Sequence, residues 1–274
     1  MSKHPRPTKD DLTVVYYTSN FLQGSNPYFL KNTKEQLLKA IDDLPLIVVS
    51  QLPMLPDDLF YKKKGKPPVN ICVGDIGRSH LNIWKQILTG ARSVKTKFFA
   101  TAEDDILYSY AHYHSVLRRG DYFLYDMNRI SLFTWNRPCM FSFRHKRMVI
   151  NQLIAPRDLY IEAFEERFAK YPDETKIPLY HFAEPGRYEN HLGVTVQETD
   201  TFMSTKSSIV FTHDNAYGYM YNHGERKAKG DLRILEVEGW PRAEELLKLY
   251  YPPKEWERIK YTTKEWTRRQ NGVA

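Results

Sequence analysis

Apolar and polar positions follow two alternating periods through the first hundred residues. Thr13-Val14-Val15-Tyr16-Tyr17 is β-branched and aromatic and runs into the turn formers Ser19-Asn20, a pattern that predicts a buried first strand. From Asn32 to Ile41 the apolar positions Leu37, Leu38 and Ile41 fall on one face of a helix. Leu46-Ile47-Val48-Val49-Ser50 predicts a second strand, followed by a loop broken by Pro53, Pro56, Pro67 and Pro68. Val69 to Val73 predicts a third. Ser79 then stands where it can cap a helix reaching about Ala91, with Leu81, Trp84, Ile87 and Leu88 at helical spacing. Lys97 to Ala102 predicts a fourth strand that runs directly into Glu103-Asp104-Asp105. Strand and helix alternating in this way predict an α/β fold with a doubly wound, mostly parallel sheet. Ligands of such sheets sit beyond the carboxyl ends of the strands.

The second half is less regular. Tyr122 to Tyr125 and Ile130 to Trp135 read as strands, and Pro156 to Lys170 as a helix with proline in its first turn. From Pro241 onward, Leu246, Leu247, Tyr250, Tyr251, Trp256, Tyr261 and Trp266 alternate with charges. Such a stripe predicts one or two helices docked on the body, with a base-stacking surface built with Lys260, Lys264, Arg268 and Arg269 as the alternative. No repeat and no flexible linker interrupts the chain, so residues 1–274 read as one domain. Within it, residues 12–115 form the regular half, 116–240 the less regular half and 241–274 a C-terminal helical segment.

Composition narrows the class. An apolar content of 42% is enough for a substantial core. The first residues are charged and proline-rich, and no apolar run approaches the roughly 20 residues needed to cross a bilayer, so a cytoplasmic protein without a membrane partner is expected. Cys72 and Cys139 lack the neighbours of a zinc site and read as two buried small residues. The net charge is +7, with basic clusters that include Lys63 and Lys64 and, further on, Arg144, Lys146 and Arg147. Each cluster reads either as solvated surface or as a nucleic-acid contact.

The chemistry concentrates at Glu103-Asp104-Asp105. Packed carboxylates raise one another's pKa unless a cation compensates, and a hard divalent ion with oxygen ligands is the natural partner. Such an ion commonly takes one or two protein carboxylates and completes its shell with water and substrate phosphates. Gly74-Asp75-Ile76-Gly77-Arg78-Ser79 opens a helix whose free N–H groups attract anions, and Arg78 could add a charge-assisted bond. This segment lacks the spacing of a P-loop or a dinucleotide fingerprint, which excludes those two signatures.

The order of elements, together with Glu103-x-Asp105, resembles the GT-A fold of nucleotide-sugar glycosyltransferases, in which a D-x-D or E-x-D motif holds manganese or magnesium against the diphosphate. Val14 to Asn20, Val49-Ser50-Gln51, Asn70 to Asp75 and Thr101 to Asp105 are similar to a group of phage and bacterial glycosyltransferase-like sequences, a resemblance covering residues 12–115. It implies Asp105 as the principal ligand of Mn2+ or Mg2+ and the catalytic centre, with Glu103 on the metal or the ribose and Asp104 in the variable position. Tyr17, Thr18 and Asn20 would frame the nucleoside, and Asp75 would meet the base or ribose; ordinary turn chemistry is the alternative for these residues. A late ligand is implied at His213, where a structural histidine is the competing reading. Glu189 is the candidate base for an inverting transfer, with Glu184 and Asp214 as competitors.

The implied donor is a nucleotide sugar, by default a UDP-sugar. The basic clusters and the phage-like resemblance suggest DNA with hydroxymethylated pyrimidines as the acceptor, which would require base extrusion. A polysaccharide precursor or a protein is the rival acceptor. A sugar nucleotidyltransferase, a metal-dependent nuclease and a non-catalytic nucleic-acid-binding module are the readings from other classes.

Overall fold

The computed structural model describes residues 7–115, 122–133, 140–143, 148–177, 184–212 and 232–250. Strand β1 (Leu12–Thr18) is followed by two helices, α1 (Phe21–Ser25) and α2 (Pro27–Ile41), and then by β2 (Leu46–Ser50). Helix α2 starts five residues before the sequence pattern suggests, because Asn26 caps it through a bond from the Phe29 N–H and Pro27 supplies the first turn. Next come β3 (Val69–Cys72), α3 (His80–Ser93), β4 (Phe98–Ala102) and, a few residues on, the short helix α4 (Tyr110–His114). Ser79 caps α3 as expected, its hydroxyl accepting from the Asn82 N–H at 3.1 Å.

These strands belong to a seven-stranded sheet that also contains β6 (Phe123–Asp126), β9 (Leu153–Pro156) and β10 (Thr199–Phe202). The order is β10-β6-β9-β4-β1-β2-β3, and β9 alone runs against its neighbours. The fold is therefore the α/β, mostly parallel, helix-flanked class that the sequence predicts. Helix α5 (Arg157–Lys170) follows β9 without a loop, so Pro156 closes the strand and stands at the cap of the helix.

A second, five-stranded sheet went unanticipated. Its order is β12 (Leu232–Ile234), β8 (Met140–Phe143), β7 (Arg129–Phe133), β11 (Ser208–Thr212), β5 (Ile106–Leu107). Strand β5 begins directly after the acidic triplet, so the chain crosses from one sheet to the other at Glu103-Asp104-Asp105. Helix Ala243–Tyr250 docks here through buried Leu246 and Leu247, with Tyr250 packed on Phe29 and Phe211. That helix agrees with the docked-helix reading; Tyr251, Trp256, Lys260, Tyr261, Lys264, Trp266, Arg268 and Arg269 lie outside the described residues. Among the described residues no helix is long and apolar enough to cross a membrane.

The period-2 pattern of β1 divides the core. Val15 and Tyr17 pack with α3 and α5, whereas Val14 and Tyr16 pack with α2 on the opposite face. Helix α3 lies close to the sheet because of Gly90, where an added Cβ would stand 2.4 Å from a Val15 methyl. That proximity lets buried Gln86 reach two strand ends, its amide donating to the carbonyls of Thr18 at 2.8 Å and Val49 at 3.1 Å. Strands β1 to β4 are mutually parallel, so Thr18, Ser50, Cys72 and Ala102 all end at one edge.

Candidate active site

The edge is assembled from the strand ends inward. Asn20 adopts a left-handed backbone (φ 60°), tolerable for Asn, and turns its carboxamide toward β2. Its Oδ1 accepts from the N–H groups of Gln51 and Leu52, both at 2.9 Å. The predicted nucleoside contact at Asn20 is thus accompanied by a structural duty, tying the exit of β1 to the exit of β2.

Glu103 leaves β4 half-buried and is held on both carboxylate oxygens. The Tyr17 hydroxyl donates to Oε1, and the Asn151 amide donates to Oε2 at 2.8 Å. Thr18 donates its hydroxyl to Asp104 Oδ2 at 2.7 Å. The side chains of Tyr17 and Thr18, placed around the nucleoside by resemblance, are therefore directed at the acidic triplet. Both residues are buried. The Asp105 carbonyl accepts from the Phe211 N–H at 3.0 Å, which fixes the triplet to β11.

The electrostatics follow from this geometry. Burial, and then the Asp105 carboxylate, push the Glu103 carboxyl up to about 8; the bonds from Tyr17 and Asn151 pull it down and Asp104 adds to the rise. Burial, followed by the charge of Glu103, raises the Tyr17 phenol well above its ordinary range, so it remains a donor. The donors on Glu103 and Asp104 named here are neutral hydroxyls and an amide.

Oxygen donors and a carboxylate with raised proton affinity suit a hard divalent cation. Among the described residues, however, no group of three or more His, Cys, Asp or Glu side chains is gathered as a complete metal shell. The fit is to an ion that takes one or two carboxylates and is completed by a ligand's phosphates. His213 lies outside the described residues, as does Asp214.

Along the same edge, after β3, exposed Asp75 accepts from the Gly77 N–H at 3.0 Å. Arg78 lies with its guanidinium 3.8 Å above the Phe21 ring, joining the turn after β3 to the start of α1. Cys72 is exposed at this same edge, a correction to its expected burial that follows from its place on the outermost strand; Cys139 lies outside the described residues.

Glu189 is in a different environment. In the short helix Glu189–Leu192 it is buried and paired with buried Arg167 at 2.8 Å, and the same oxygen accepts from the Gly186 N–H. This engagement argues against the base role on physical grounds, because an oxygen already bonded to a guanidinium and an N–H is a poor proton acceptor. Its competitor Glu184 pairs with Arg187 at 3.2 Å, and Arg187 also donates to the Met148 carbonyl at 3.0 Å, three residues before Asn151.

The structure places the basic pair Lys63 and Lys64 away from this edge. They neighbour Asp42 and Asp43, where α2 hands over to β2, and precede the start of β3. That is the amino end of strands whose carboxyl ends lie roughly 13–17 Å away for four or five residues. Lys63 is buried and donates to the Lys64 carbonyl at 2.7 Å, so the predicted phosphate contact is corrected to an internal one. Lys64 is exposed and 3.5 Å from Asp42. Arg144, Lys146 and Arg147 lie outside the described residues.

No protein-family model and no curated protein matches the chain. Similar solved structures include the glycosyltransferase GlyE of Streptococcus pneumoniae TIGR4, 8% identical over 98% of this chain and 64% of that chain, with a TM-score of 0.47. Residues 1-349 of S. aureus TarS are 10% identical over 74% of this chain and 60% of that chain, with a TM-score of 0.38. A glycosyltransferase involved in the glycosylation of the major capsid of PBCV-1 is 9% identical over 80% of this chain and 97% of that chain, with a TM-score of 0.40. The chain spans less than two thirds of the length of the first two. Likeness at these identities concerns the fold alone.

The sequence signal missed two contributors to the site. Asn151 and Tyr108 both hold Glu103, the latter by accepting its backbone N–H at 3.1 Å. Asn151 stands 48 positions from Glu103, and no local pattern marks it. Tyr108 reads in the sequence only as one more apolar residue after the triplet.

Proposed function

We propose that this chain transfers a glycosyl group from a nucleotide sugar to a hydroxyl acceptor, with the donor diphosphate docked at Glu103-Asp104-Asp105. One observation carries this reading: consecutive carboxylates emerge at the carboxyl edge of the parallel sheet, and Glu103 is held there by a phenol and an amide. Such a cluster is completed by a cation and, through it, by phosphate.

Asp105 and Glu103 would hold manganese or magnesium, which when bound would neutralise charge developing on the departing diphosphate. Tyr17 and Asn151 keep the Glu103 carboxylate in one orientation, and Thr18 does the same for Asp104. Arg78, stacked on Phe21 at the edge, supplies a fixed positive charge for the nucleotide side. If transfer inverts the anomeric centre, a base is required, and Glu189 and Glu184 are both engaged by arginines, Arg167 and Arg187 respectively. UDP is the default leaving group. DNA with hydroxymethylated pyrimidines stays the proposed acceptor, although Lys63 and Lys64 no longer support it.

The test is diphosphate release from a panel of nucleotide sugars, with and without Mn2+ and with and without hydroxymethylated DNA. Release that requires both Mn2+ and Asp105 supports the donor chemistry, and stimulation by the modified DNA supports the acceptor. Absence of release from every sugar nucleotide overturns the reading.

A further inference from the structure

We infer that Asn151 is a positioning residue that fixes the Glu103 carboxylate; the inference rests on the donor-site reading above and deepens it. Three residues form a closed ring. The Glu103 N–H donates to the Tyr108 hydroxyl at 3.1 Å, and that hydroxyl donates to the Asn151 carbonyl at 3.0 Å. The Asn151 side chain returns the connection, its Nδ2 donating to Glu103 Oε2 at 2.8 Å. The two residues are thus linked backbone to backbone through Tyr108 and side chain to side chain directly.

With Glu103 ionised, the state that would hold a cation, the amide has one orientation, because reversing it would set its oxygen against the carboxylate, two acceptors facing each other. In the orientation present, Oδ1 is buried without a hydrogen-bond partner. A buried amide that leaves its oxygen unsatisfied while its nitrogen meets a carboxylate is placed for the nitrogen. With Tyr17 on Oε1, each Glu103 oxygen carries one donor, so the carboxylate plane is fixed and a lone pair on each oxygen remains for a ligand. Tyr108 is fully buried, and the turn carrying Asn151 opens β9, which pairs with β4. Asn151 is therefore presented by ordered structure on both sides.

A double-mutant cycle on the full chain tests this, with Asn151→Ala, Glu103→Ala and the pair together. Alanine at 151 is expected to lower kcat/KM by about 10- to 100-fold, the scale of one hydrogen bond to a charged group. In the Glu103→Ala background the same change should add less than about 2-fold, as expected for a residue acting through its neighbour. Multiplying effects in the double variant, or a silent Asn151→Ala, would overturn the inference. Isosteric Asn151→Asp keeps the shape and removes the donor; it should be at least as damaging as alanine, and full activity in it would count against the inference. Should the wild type turn over no nucleotide sugar, the functional reading fails by itself. The cycle is then read from melting temperatures of metal-free protein, where coupled shifts support the positioning role and additive shifts refute it.

Discussion

Two carboxylates of the same fold, Glu189 and Glu103, are handled in opposite ways. Glu189 is buried against Arg167, and a backbone N–H completes the same oxygen, so the negative charge is matched within the protein. Glu103 is held by a phenol and an amide and crowded by Asp105, which helps raise its proton affinity to about 8. The first arrangement is finished and serves the fold. The second is oriented by neutral donors that do not neutralise it, so with no cation beside it the carboxyl takes up a proton as pH falls through about 8.

The largest break in this comparison is expected at Asp105. Replacing it by alanine should lower diphosphate release by about three orders of magnitude, the scale of removing one preorganised electrostatic group, while circular dichroism stays native. Glu189→Ala should do the reverse. Leaving Arg167 buried and unpaired costs about 3–5 kcal/mol, read as a lower denaturation midpoint, and specific activity of the folded fraction should hold. Loss of activity without loss of stability in Glu189→Ala would restore it as the base candidate.

A smaller effect sharpens the contrast through pH. The folded-state pKa of Glu103, about 8, lies above the ordinary carboxyl value, so its protonation stabilises the metal-free protein fully below pH 4.5. That contribution is lost as pH rises through 8. Between pH 6 and pH 9 the wild type should therefore lose more thermal stability than Glu103→Gln in the absence of divalent ions, and equal losses would argue against the crowded-carboxylate account. The smallest effect is expected at Lys64, exposed and at the amino edge: alanine there should change turnover by less than about 2-fold, since such surface pairs contribute little.

Much of the carboxyl edge of the sheet was legible because its elements are local. Strand β2 coincides with its apolar run, Ser79 caps α3, and β4 delivers Glu103 at the edge where a parallel sheet binds ligands. The rest is made by distant pairing. Strand β10 reads Thr-Asp-Thr-Phe and carries no apolar alternation, and β5 is two residues long and exists only through β11, about a hundred positions later. Side-chain direction was equally hidden: Tyr17 and Thr18 were placed at the right edge, but their hydroxyls turn to Glu103 and Asp104. Asn151 shows the same limit, for its role depends on a turn that only the β4–β9 pairing brings to the site.

The most direct test of the central claim is calorimetric titration of UDP into the full chain, with and without Mn2+, for wild type and Asp105→Ala. Binding that appears only with Mn2+ and disappears in the variant is the predicted result. Binding indifferent to both the ion and Asp105, or no binding under any condition, would contradict the claim that the acidic triplet is a metal-bridged diphosphate site.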